Sequence, residues 1–222
     1  MAAEAAVERV EVRSAWDVSG TLRGVLMVVP PLLLAVLEVF HPQPDQTTDG
    51  VMDVATWFLG FHLIQLVLIG LVALSVLLLA DEFGRAMSWA VRLGVGIFLV
   101  FYSAYDAVAG IGTGLAMHSA RDLEAVQQDG VFDVVEDWPG FDPVVFTLAI
   151  VGTLGWVLAL GAIALGARRA GAPSVQWVFI ALAALFLLAG HPFPFGTLAF
   201  GSLFVAALLV VVGVPRRART AS

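Results

Sequence analysis

The strongest constraint on this chain is a set of long stretches that contain no Asp, Glu, Lys or Arg. Residues 54–80, 143–167 and 170–215 are all free of charge. A helical crossing of the hydrocarbon core takes about 20 apolar residues, and within lipid the backbone polar groups must be satisfied inside the segment itself. Only 13% of the 222 residues are charged and 60% are hydrophobic, too little polar surface for a soluble domain, in which roughly 25% charge is usual. The expected fold class is therefore all-α, a polytopic membrane protein with the lipid bilayer as its first partner.

Six spans account for the apolar sequence, at about 21–40, 54–80, 87–112, 143–167, 174–190 and 197–214. Residues 170–215 are too long for one crossing and are divided at His191-Pro192-Phe193-Pro194-Phe195-Gly196, where prolines remove backbone donors. The first span ends at His41-Pro42-Gln43-Pro44. Pro30-Pro31 should kink that helix, and three glycines from Gly110 to Gly114 blur the outer end of the third. The domain plan is a segment 1–20, a single six-helix bundle over 21–215, and a basic tail 216–222. About 20 mixed polar residues precede the first span and no small-residue cleavage site follows it, so it is read as a retained helix and not as a cleaved signal peptide.

Six spans put both termini on one side. Arg9, Arg13, Arg23, Arg85, Arg92, Arg168, Arg169, Arg216, Arg217 and Arg219 fall on that side, and only Arg121 falls opposite. Basic residues near span ends are retained in the cytoplasm, so the expectation is a cell-membrane protein with both termini cytoplasmic. The tail arginines suit contact with anionic lipid. The one long outer loop, 119–142, carries seven acids against Arg121. Its first part, Ser119–Gln128, has the composition of a short surface helix, and Asp133–Gly140 reads as a turn. A solvated acidic loop explains it, with a lid or a cation-attracting mouth as the functional alternative.

Composition also removes whole classes of chemistry. No cysteine means no disulfide, thiolate metal site or thiol nucleophile, and no lysine means no Schiff base. A net charge of -7 argues against nucleic-acid binding.

Ionisable side chains inside spans are costly and call for a reason. Glu38 and His41 lie three apart at the outer end of the first helix, as do His62 and Gln65 in the second. Asp106 follows Tyr102 and Ser103 in the third, and His118 and His191 come at or just beyond outer helix ends. Four histidines and two acids are thus gathered toward the outer half. Imidazole and carboxylate are the ligand types of zinc and related divalent ions, which makes His41, His62 and His191 candidate ligands, with Asp106 and Glu38 as candidate ligand or general base. Two histidines from different helices would also suit haem, but there is no CxxCH and no pair spaced for stacked haems.

Three functions follow from these residues. One is an outer-facing divalent-metal site, with a metal-dependent hydrolase of lipid or amide bonds as its extension. The second is a small proton-coupled transporter or channel component in which Asp106 and His62 relay protons. The third is a structural or regulatory role beside a membrane-protein partner or a second copy, with His41 and His191 ending helices before proline and His62 and Gln65 bonding across to Asp106 or Ser103.

Overall fold

The computed structural model describes residues 20–43, 45, 47–83, 88–138 and 142–213. Every regular element among them is helical, and no strand occurs. In chain order these are α1 (Gly20–Val39), α2 (Thr48–Asp81), α3 (Ser88–Ser119), α4 (Ala125–Val135), α5 (Pro143–Arg169), α6 (Ser174–Ala189) and α7 (Phe195–Val211). Four of them, α1, α2, α3 and α5, are long and apolar enough to cross a membrane, and α6 and α7 are shorter apolar helices. Of the arginines that oriented the sequence reading, Arg9, Arg13, Arg85, Arg216, Arg217 and Arg219 lie outside the described residues.

Neighbours in sequence pack as neighbours in space, and the series closes because α7 also lies against α1. Successive helices around the ring run antiparallel. Ser75 Oγ donates to the Leu26 carbonyl at 2.6 Å between α2 and α1, and Trp156 Nε1 donates to the Ala183 carbonyl at 3.0 Å between α5 and α6. Arg23 at the start of α1 meets Glu82 at 3.0 Å just past the end of α2. At the α3–α5 crossing Gly94 and Gly155 face each other so closely that a β-carbon on Gly94 would lie 2.6 Å from the Gly155 carbonyl, which is the close approach that small residues permit between membrane helices. The ring interior is apolar, with Leu34, Ile69, Val72, Phe98, Trp156 and Phe200 almost wholly buried. The outward faces are apolar too: Val67, Val100, Leu185 and Leu188 are all more than half exposed. A helix that is apolar on every side belongs in lipid.

Several boundaries differ from those read in the sequence. α2 begins at Thr48 rather than near 54 because Thr47 caps it, its hydroxyl accepting from Gly50 N; the charge-free run begins only after Asp53 and so excludes this polar first turn. At 34 residues α2 is about 51 Å long, well beyond a hydrocarbon core of about 30 Å. α3 continues through its glycines to Ser119, and α1 continues through Pro30 and Pro31, both buried. The surface helix in the acidic loop is α4, displaced along the chain from Ser119–Gln128 to Ala125–Val135. Part of Asp133–Gly140, read as a turn, is therefore helical. The reason is a capping box at Glu124 and Gln127, together with burial of Phe132 and Val135 against Val51, Ala55 and Met117.

Candidate metal centre

Three connections bring the histidines together. His41 follows the end of α1, His191 follows the end of α6, and His62 lies four turns into α2, which runs back from the same end of the ring. One nitrogen from each of the three lies within 4.8 Å of the others, an arrangement that can hold a metal ion. Tetrahedral coordination at 2.0–2.1 Å puts ligand nitrogens about 3.4 Å apart, so closure takes side-chain adjustments of roughly 1 Å. The rings already meet edge to face, with centroids 4.8 Å apart for His41 and His191 and 5.4 Å for His41 and His62.

The same nitrogen of each ring is engaged behind the cluster. His62 Nδ1 donates to the Phe58 carbonyl at 2.7 Å, His41 Nδ1 to the Pro42 carbonyl at 2.9 Å, and His191 Nδ1 faces Glu38 Oε1 at 3.3 Å. An acceptor opposite Nδ1 fixes the tautomer with the proton there and leaves Nε2 as the free lone pair, which is how metal-binding histidines are usually oriented. His41 Nε2 is buried without a partner. His191 Nε2 lies 3.2 Å from the Gln65 amide, a contact that a metal ion would replace. Burial, and then the neighbouring His191 and His62 rings, lower the His41 pKa to about 3, so it is neutral and competent as a ligand at pH 7. Burial also opposes charge on His191, but the Glu38 carboxylate and then Asp106 outweigh it and the His191 pKa is raised.

Glu38 is fully buried. Its Oε1 accepts from Gln65 Nε2 at 3.0 Å as well as facing His191, and its Oε2 has no partner. Glu38 and His41, three apart in the chain, do not share a helix face, because α1 ends at Val39; the His41 backbone N–H donates to the Glu38 carbonyl. Gln65 likewise bonds to Glu38 rather than to Asp106 or Ser103. His118 stands apart, exposed and 3.1 Å from Thr56 Oγ1.

A cavity of about 440 Å³ opens at this end of the ring, lined by all three histidines and by Asp106, Tyr105 and Thr113. Asp106 Oδ2 and Thr113 Oγ1 are buried without partners, like His41 Nε2. Buried polar groups are overwhelmingly hydrogen-bonded in folded proteins, so this concentration of unpaired atoms around one cavity is what a bound ion or water would satisfy. Tyr105 and Asp106 share the wall although they are adjacent in sequence. The backbone of α3 is π-helical over Phe98–Tyr102 and Asp106–Gly112, and the widened turns reset which side chains face inward. No sequence periodicity announces that change. The cavity roof includes Phe132, Val135 and Glu136 from α4 and the turn after it, so part of the acidic loop is structural covering for the site and not a freely solvated strand of charge.

Two glycines make room for the cluster. A β-carbon on Gly110 would collide with the Cδ2 and Cγ of His62, and one on Gly196 would collide with the His191 carbonyl and approach Glu38 Oε2 to 2.8 Å. Comparison with protein-family models, curated proteins and solved structures finds no match.

Proposed function

We propose that this is a six-span membrane protein with both termini cytoplasmic, holding a divalent metal ion such as zinc on His41, His62 and His191 at its outer end, and acting as a metal-dependent hydrolase. The observation that carries this reading is the convergence of the three imidazoles, one nitrogen of each within 4.8 Å of the others, with every Nδ1 facing an acceptor and His41 Nε2 buried without a partner. Three nitrogen ligands leave a fourth position open, as catalytic zinc sites do, and a cation there polarises a carbonyl and acidifies water. Asp106, on the wall of the same cavity with Oδ2 unpaired, is assigned as general base. Glu38, behind His191 and away from the cavity lining, orients that ring and raises its basicity. A proton relay finds less support. Among the described residues, the buried polar groups outside this end are Ser75, Gln176 and Ser202, none of which titrates, and the core between is apolar.

The direct test is metal analysis of protein purified without chelators, with zinc add-back, beside hydrolysis of a chromogenic acyl ester. One zinc per chain is expected, with Asp106→Asn keeping the metal and losing at least about 100-fold in turnover. A wild-type protein that neither retains nor takes up zinc, cobalt or manganese would sink the proposal.

The orientation is supported by the position of Arg23, Arg92, Arg168 and Arg169 at the end of the ring away from the histidines, with Arg121 at the histidine end. The absence of native cysteine makes labelling clean. Val126→Cys, on the exposed face of α4, should react with a membrane-impermeant maleimide in intact cells. Ala170→Cys, between α5 and α6, should react only after permeabilisation, and the reverse pattern would invert the topology.

A further inference from the structure

A second cavity, of about 370 Å³, lies between α3, α5 and α6 and is mainly apolar along its length, with Phe146, Ile150 and Leu154 beside Thr153 from α5 and Leu187 and Leu188 from α6. Phe146, Ile150, Leu154 and Leu188 are between 43% and 56% exposed, so the groove is open on the outward face of the ring, the face that meets hydrocarbon. Its inner end is different. Tyr105, His191 and Pro192 line this groove and the histidine cavity alike, so the two spaces adjoin at those residues. Tyr102, 2% exposed, also lines the groove, and its hydroxyl has no hydrogen-bond partner.

An apolar channel that begins at the lipid-facing surface and ends at an unpaired buried hydroxyl beside the metal ligands has the polarity profile of an acylated lipid, with hydrocarbon along the groove and a carbonyl at its inner end. We propose that the substrate is a bilayer lipid whose acyl chain enters sideways between α5 and α6, with its ester or amide carbonyl presented to Tyr102 and the histidine cavity. This rests on the hydrolase reading above and names its substrate class. The reaction consumes one water. Its oxygen bonds to the carbonyl carbon, one proton passes to Asp106, the C–O or C–N bond breaks, and that proton leaves on the alcohol or amine while the acyl group departs as the fatty acid. Tyr102 Oη–H donates to the carbonyl oxygen, where negative charge develops.

The test uses the full chain in nanodiscs of phosphatidylcholine, a fraction of which carries a photoactivatable diazirine in one acyl chain. Crosslinks are mapped by mass spectrometry, and fatty-acid release and zinc content are measured on the same samples. In the wild type, crosslinks should concentrate on residues 146–154 and 187–188. Ile150→Trp and Leu188→Trp, which fill the groove at exposed positions, should reduce those crosslinks and fatty-acid release at least about tenfold, the loss expected from excluding two or more methylenes from apolar contact, with zinc unchanged. His62→Ala should show the opposite pattern, with zinc and release lost and the crosslinks kept. Crosslinks spread evenly over all lipid-facing helices, or unaffected by both tryptophans, would overturn the lipid groove while leaving the metal site standing. Retained crosslinks without zinc in the wild type would instead overturn the metal reading. A parallel sample with a diazirine fatty acid separates recognition of the esterified lipid from capture of a free acid, and groove labelling by the free acid alone, without release from phosphatidylcholine, would also overturn the substrate assignment.

Discussion

Replacing His62 by alanine is expected to abolish stoichiometric zinc binding, with a loss of affinity exceeding the roughly 10–100-fold that follows from disturbing a residue behind the ligands. His62 is the one proposed ligand that lies within a helix, so its backbone position is fixed by the α2 packing. His191→Ala should do the same and, in addition, strand Glu38, whose carboxylate is fully buried and would keep only Gln65 as a partner. That variant should therefore also lose thermal stability, by about 3–5 kcal/mol, the usual cost of removing one partner of a buried ion pair. Glu38→Gln separates the two effects. It removes the negative charge behind His191 while keeping the side-chain volume, and should weaken zinc about 10–100-fold with little change in fold. His118→Ala, at an exposed histidine paired with Thr56, should change nothing. Isothermal titration or chelator competition in detergent, with a thermal melt on each variant, reads all four; equal affinity for His62→Ala and wild type would remove this histidine from the site.

Gly110→Ala is the second large effect. The added methyl would occupy space now held by the Cδ2 and Cγ of the His62 ring, with Nε2 only 2.9 Å away. Either the ring turns out of the cluster or α3 moves off α2, and overpacking of this kind costs about 1–3 kcal/mol. The expected result is a lower melting temperature together with zinc affinity close to that of His62→Ala. Gly70→Ala is the matched control, since a β-carbon at that position of α2 meets nothing within 4 Å. It should leave zinc binding intact and gain stability slightly, in line with the roughly 1 kcal/mol advantage of alanine over glycine in a helix. Normal zinc binding in Gly110→Ala would mean that the ring adopts another rotamer in the metal-bound protein.

The convergence of His41, His62 and His191 was partly legible because their helices alternate in direction and each histidine falls toward the same end. Chain order alone placed them at one level of the ring. What it left open was whether they lie side by side, and that depends on α7 closing against α1, a contact with no local signature beyond a glycine at position 196. Glu38 illustrates the same limit. The three-residue offset to His41 is visible in the chain, but α1 stops at Val39, and the partner that Glu38 finds is 153 residues away, at His191. Tyr105 and Thr113 escaped notice because the π-helical turns of α3 break the ordinary period, and the second wall of the groove, from α5 and α6, is indistinguishable in sequence from any other lipid-facing surface.

The closure of α7 against α1 also sets an order of events during synthesis. Glu38 emerges with the first hydrophobic segment, near the end of α1, where a buried carboxylate without a partner is costly. Gln65 arrives with the second. His191 follows only after five of the six ring helices have been made, and Gly196 then lets the sixth settle against the first. Until that moment the acid is a liability held in a growing chain, and on the proposed reading metal capture would be the last step of biogenesis rather than a seed around which the protein folds.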